Sequence, residues 1–229
     1  MRHCKNATSA VFLLLVSGCA SAGTKPHDMS VAEHERVAQA EQVQADEHEQ
    51  QYDPTREETT QDCGGAAFCW TTWSNPTEEH KREAEQHRQL AQKHRAAAEK
   101  LRVAEEEACA GIDERDRDLS PFFHWPDIAS VAVPTLESKQ PVEIVFRTVP
   151  GLSKTGLLQL VDCHIARSAA AGHEMPEMDY CPLVPRGVQA SVSERDGSFV
   201  VTITAESDRG SRENLLRRAE RLKQRVTGP

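Results

Sequence analysis

Aromatic side chains are scarce. Phe, Trp and Tyr make up 5% of the 229 residues and all hydrophobic types together 38%, too little for one large core to fill the chain. Apolar runs are short: none reaches the 18 residues or so that a membrane-spanning helix needs. Basic charge is in deficit, with 27 Lys+Arg against 36 Asp+Glu and a formal net charge of -9. A general nucleic-acid binder needs a basic face to neutralise phosphates, so that class is excluded. Catalytic signatures are missing too. There is no Gly-x-Ser-x-Gly, no Walker A loop, no His-Glu-x-x-His, no Gly-x-Gly-x-x-Gly and no convincing pair of carboxylates. The expectation is a non-enzymatic protein without a cofactor.

The first residues carry an address. Met1-Arg2-His3-Cys4-Lys5 is basic, Ala10–Val16 is a compact apolar run, and Ser17-Gly18-Cys19-Ala20 is small. These are the three parts of a secretory signal peptide. Val16-Ser17-Gly18-Cys19 resembles the lipobox of bacterial lipoproteins, with Val16 where Leu is commonest. The resemblance covers about the first 22 residues. It implies removal of residues 1–18 by signal peptidase II and acylation of Cys19, with palmitate-type chains in the bilayer. Ala20, not Asp, follows the cysteine, which by the same resemblance implies sorting to the outer membrane. Ordinary cleavage after Ala20-Ser21-Ala22 is the alternative. The expected location is the cell envelope, periplasmic, lipid-anchored on or facing the outer membrane. The partners would be the bilayer and an envelope protein.

Charge divides the remainder. Acidic residues outnumber basic ones nearly two to one over 24–118, and the two balance over 119–229. The expected fold is α+β: a flexible tether at 19–29, an acidic helical hairpin or stalk at 30–111, a linker at 112–140, and a small β-α-β-β-α domain at 141–229. Ser30-Val31-Ala32-Glu33 fits a capping box, and Asp53-Pro54 stops the first helix. Asn75-Pro76-Thr77-Glu78 starts the second, which ends near Gly111. Leu90, His94, Ala97, Leu101, Ala104 and Ala108 form a coiled-coil-like heptad seam. At an offset of 46, Glu33, His34, Arg36, Ala38, Ala45 and His48 match Glu79, His80, Arg82, Ala84, Ala91 and His94. That repeat is either a duplication or a consequence of Ala/Glu-rich composition. His80, His87 and His94 step by seven along one face, with His34 and His48 on a similar stripe. Two turns are roughly 10 Å, too far for these three to share an ion, so the expectation is a solvated polar edge.

The loop at 53–75 holds Cys63, Gly64, Gly65, Phe68, Cys69, Trp70 and Trp73. Export predicts a Cys63–Cys69 disulfide. The aromatic residues either form an exposed patch for a partner or membrane, or cover the hairpin end or second domain.

In the second half, Val142–Val149 reads as a strand, 154–171 as a helix, Gly187–Glu194 and Ser198–Ala205 as a hairpin about Asp196-Gly197, and the chain from Ser211 as a last helix. Its Arg212, Arg217, Arg218, Arg221, Lys223 and Arg225 could meet lipid, an acidic partner or the acidic hairpin, or simply be solvated. Cys163, His164, His173, Met175, Met178 and Cys181 crowd into 19 residues. Thiolate, imidazole and thioether suit soft metals such as copper or zinc, which makes a metal-binding lipoprotein the alternative function. A Cys163–Cys181 disulfide competes with that reading. Cys109 is then the odd thiol, or pairs with Cys163 and ties the stalk to the domain.

Overall fold

The computed structural model describes residues 29–63, 69–205 and 208–228. The signal-type segment, Cys19, nearly all of the tether and residues 64–68 lie outside these. The fold is α+β, as expected, with helices and small antiparallel sheets.

Helix α1 (Val31–Gln51) starts on the capping box: Glu33 N–H donates to Ser30 Oγ at 3.1 Å, and Ser30 N–H donates back to Glu33 Oε2 at 2.7 Å. The reciprocal bonds satisfy two of the donors that a helix start leaves open. Helix α2 (Glu78–Ala108) runs back along it. The buried stripe is built from alanine at seven-residue steps, Ala38 and Ala45 on α1 against Ala84, Ala91 and Ala98 on α2. This corrects the heptad seam read from the sequence. Leu90 is 40% exposed, and its neighbour Ala91 takes the buried position.

Between the helices, β1 (Glu58–Asp62) and β2 (Trp70–Ser74) pair antiparallel. This ribbon was not expected: Glu58-Thr59-Thr60-Gln61-Asp62 carries no large apolar residue, and every residue of both strands is exposed.

After a single helical turn, α3 (Glu114–Arg117), comes a second correction. The linker at 112–140 supplies a strand, β3 (Ile128–Ala132), buried at Ile128 and Val131 only. It pairs with β4 (Val142–Phe146), and the domain sheet is completed by β5 (Val188–Arg195) and β6 (Ser198–Ala205) in the order β3-β4-β6-β5, all antiparallel. Helix α4 (Lys154–Ala170) lies between β4 and β5 in the chain, and α5 (Arg209–Thr227) closes it. The order is therefore β-β-α-β-β-α. One core joins Val142, Ile144 and Phe146 of β4 to Leu157 and Val161 of α4 and Leu215, Ala219 and Leu222 of α5. Burying each of the Val, Ile, Leu and Phe side chains contributes about 1.5–3 kcal/mol.

The hairpin and this domain are fastened together. Cys109, just past α2, is bonded to Cys163 of α4. Arg167 of α4 donates to Glu105 of α2 at 2.9 Å and also pairs with Asp118. Gly172, at φ +71°, sits where a Cβ would meet the Cβ of Ser30 at 3.0 Å, so the end of α4 abuts the start of α1. The α5 arginines with partners far along the chain bind their own domain, while Arg217 and Arg221 stay exposed. Arg212 donates to the carbonyls of Leu136, Ser138 and Gln140. Arg225 lies 4.1 Å from the Tyr180 ring and pairs with Asp179, as does Arg221.

Candidate functional site

Three places carry chemistry: the six-residue Cys/His/Met cluster, the hairpin tip, and the seam between α1 and α2.

The cluster does not assemble. Cys163 is consumed by the bond to Cys109, so the expected Cys163–Cys181 disulfide is absent and Cys109 is not the odd thiol. Helix geometry supplies the reason. Consecutive residues point about 100° apart, so Cys163 faces α2 while His164 faces the domain core. Cys181 meets His164 there: its Sγ lies 3.3 Å from His164 Nε2 and accepts from Ser120 Oγ at 3.3 Å. His173, at φ +62°, turns Nδ1 to the Val184 carbonyl at 2.8 Å. Met175 and Met178 pack against the core edge. The side chains of Cys163, His164, His173, Met175, Met178 and Cys181 therefore go to separate partners, apart from the Cys181–His164 contact.

What is left is a buried Cys181–His164 contact with its chemistry suppressed. Burial pushes the thiol up to about 11. Burial, helped by the Arg167 charge, pushes His164 down to about 4. A protonated thiol beside a neutral imidazole, both sealed from solvent, is neither a nucleophile nor a thiolate ligand. His164 Nδ1 has no hydrogen-bond partner, a cost the surrounding core must offset.

At the tip, Cys63 is bonded to Cys69, as expected. Trp70 and Trp73 are 67% and 68% exposed, so the covering role is overturned for both. Their spacing in β2 places them on opposite faces of the ribbon. Phe68 lies outside the described residues.

The seam is where sequence reasoning missed most. The histidine stripes of the two helices face one another rather than solvent. His34 Nδ1 lies 3.0 Å from His94 Nδ1, His87 Nδ1 2.6 Å from Glu41 Oε2, and His48 Nδ1 3.1 Å from His80 Nδ1. Each pair is seven residues from the next on both helices, so the three form rungs of one ladder. The repeat offset exchanges the outer rungs: His34 maps to His80, and His48 to His94. It also maps Glu41 to His87 at the centre. The hairpin is thus pseudo-twofold in its polar seam, which gives the repeat a structural meaning.

The outer rungs differ in their surroundings. His34 is fully buried, and burial with the neighbouring His34 ring holds His94 below the usual imidazole range. At the other end, Glu83 Oε2 lies 3.1 Å from His48 Nδ1 and 3.6 Å from His80 Nδ1. These three ligand atoms form a close cluster, and among the described residues no other such His/Cys/Asp/Glu group occurs. The sequence signal is present in His80-x-x-Glu83, whose spacing puts both side chains on one helical face. Spacing along one helix does not reveal the third ligand, because His48 comes from the other. No family model matches the chain, and neither curated proteins nor solved structures show similarity to it.

Proposed function

We propose that this chain is an exported, lipid-anchored protein of the bacterial cell envelope, with a structural or interaction role and no catalytic one. Acylation at Cys19 would anchor it, each buried methylene contributing about 0.8 kcal/mol. The hairpin and its fused domain would then act as a braced unit on the periplasmic side, sorted to the outer membrane by Ala20.

The observation that carries this reading is the pair of cross-links. Cys63–Cys69 closes the tip, and Cys109–Cys163 bolts the stalk to the domain. Such bonds persist in oxidising compartments and are rare in the cytosol. Two further features support it. Trp70 and Trp73 stand exposed at the tip, as a contact element for a partner requires. The Cys181–His164 contact is sealed and its proton is held on sulfur, so it supplies no reactive group. No described helix is long and apolar enough to cross a membrane, so attachment in this reading rests on the acyl chains.

Fractionation of cells producing the wild-type chain and Cys19→Ser tests the proposal. Wild type is expected in the membrane fraction, released by detergent and not by high salt. Cys19→Ser is expected to leave that fraction. Wild-type protein in the cytosolic fraction would contradict the reading.

A further inference from the structure

We propose that His48, His80 and Glu83 form a divalent transition-metal site, suited to zinc, that bridges α1 and α2 near the tip of the hairpin. The inference is independent of lipidation, since it rests on the seam alone.

Geometry is the first argument. Zinc binds imidazole nitrogen and carboxylate oxygen at about 2.0–2.2 Å in a tetrahedron. The edges of such a tetrahedron are about 3.3–3.6 Å by simple trigonometry from those bond lengths. The three ligand atoms here are separated by 3.1, 3.1 and 3.6 Å. An ion at their centre needs only a few tenths of an ångström of adjustment. The fourth corner is left for water, because three protein ligands are available.

Chemistry is the second. Two imidazoles and a carboxylate suit zinc, copper(II), nickel or iron(II), not the soft copper(I) that thiols and thioethers would hold. The three atoms that face one another, a ring nitrogen from each histidine and a carboxylate oxygen from Glu83, are all of types that bind such ions. The side chains are between one-fifth and two-fifths exposed, so an ion can enter. Neighbouring groups also hold the ligands in place. The His87 ring stacks on His48 at 5.5 Å, and His87 is itself held by Glu41 at 2.6 Å.

The pseudo-twofold supplies an internal control. The position equivalent to Glu83 on the other half of the repeat is Val37. The His34–His94 rung therefore has the two imidazoles and lacks the third ligand, and His34 is fully buried. One rung is equipped for an ion and its counterpart is not. Function follows from position: an alanine seam buries little apolar surface, and an ion joining the two helices would make the order of the distal hairpin depend on metal supply.

Zn2+ titration of the full oxidised chain, carrying no polyhistidine tag, tests the site by calorimetry, with Co2+ absorption reading its geometry. One equivalent of Zn2+ is expected, with the intense visible bands of tetrahedral Co2+. His48→Gln, His80→Gln and Glu83→Gln should each weaken Zn2+ by about tenfold or more, while His94→Gln leaves it unchanged. Far-UV circular dichroism identifies any variant that fails to fold. Glu83→Gln, which conserves shape, is the decisive one if a histidine variant does fail. No binding by the folded wild type would mean that the three groups are only a hydrogen-bonded triad, and would overturn the site. Binding that survives Glu83→Gln, or that His94→Gln weakens equally, would also overturn it.

Discussion

His164 sits in the domain core beside a thiol and holds its proton only at low pH. Its folded value is about 4 against an ordinary 6.5. Between those values the unfolded chain binds a proton that the native chain refuses, so stability is complete above pH 6.5 and falls as pH drops toward 4. The loss at pH 4.5 relative to pH 7.5 is about 2–3 kcal/mol from this group, since the two forms differ by about 1.4 kcal/mol for every tenfold change in proton affinity. His94, also held below its usual range, adds in the same direction. Urea unfolding at the two pH values, for wild type and His164→Gln, checks this: the variant should lose less stability on acidification. An equal loss would place the effect elsewhere. The residue scale is also where sequence reading was weakest. Cys163 and His164 are neighbours in the chain and point to different parts of the molecule, a divergence that counting cysteines does not reveal. The tip bridge Cys63–Cys69 was legible because only a short loop separates its ends.

Among the elements, the hairpin was the easiest to read and its seam the hardest. Ser30 and Glu33 announce α1, Gly111 closes the turn after α2 at φ +80°, and Asp196-Gly197 makes the β5–β6 turn with both residues at positive φ. Each is a local rule with a local cause. Strands β1 and β3 were missed because their residues alternate poorly: β1 buries nothing and β3 buries only its first and fourth positions. The ladder of imidazoles was missed because pairing across two helices depends on their register, which alanine packing sets and which no single-helix periodicity encodes. The cross-links lead to a ranking at this scale. The Cys109–Cys163 bond spans 54 residues and Cys63–Cys69 spans 6. Chain-entropy reasoning assigns about 4 kcal/mol to the first and about 2 kcal/mol to the second. Denaturant unfolding of Cys109→Ala/Cys163→Ala and Cys63→Ala/Cys69→Ala should show the larger loss for the former pair. The reverse order would mean that the stalk is held to the domain by packing and the Arg167–Glu105 pair, with little from the bond.

At the scale of the molecule, two bodies of different composition act as one because their junction is cross-linked, ion-paired and closely fitted at Gly172. The charge shift near Asp118 falls between α2 and the domain sheet, and within the 112–140 segment Ile128–Ala132 is a strand of that sheet rather than linker. The tip carries its two tryptophans at the end of the hairpin remote from that junction, where they touch none of the domain core. Under the function proposed above, this end of the arm is the one that would meet a partner. Mass spectrometry of the intact protein purified from membranes, with alkylation before and after unfolding, tests that account most directly. The account predicts an N-terminal acylated Cys19, intact Cys63–Cys69 and Cys109–Cys163 bonds, and a Cys181 that reacts only after unfolding. A chain that still begins at Met1, with every thiol free and reactive, would contradict it.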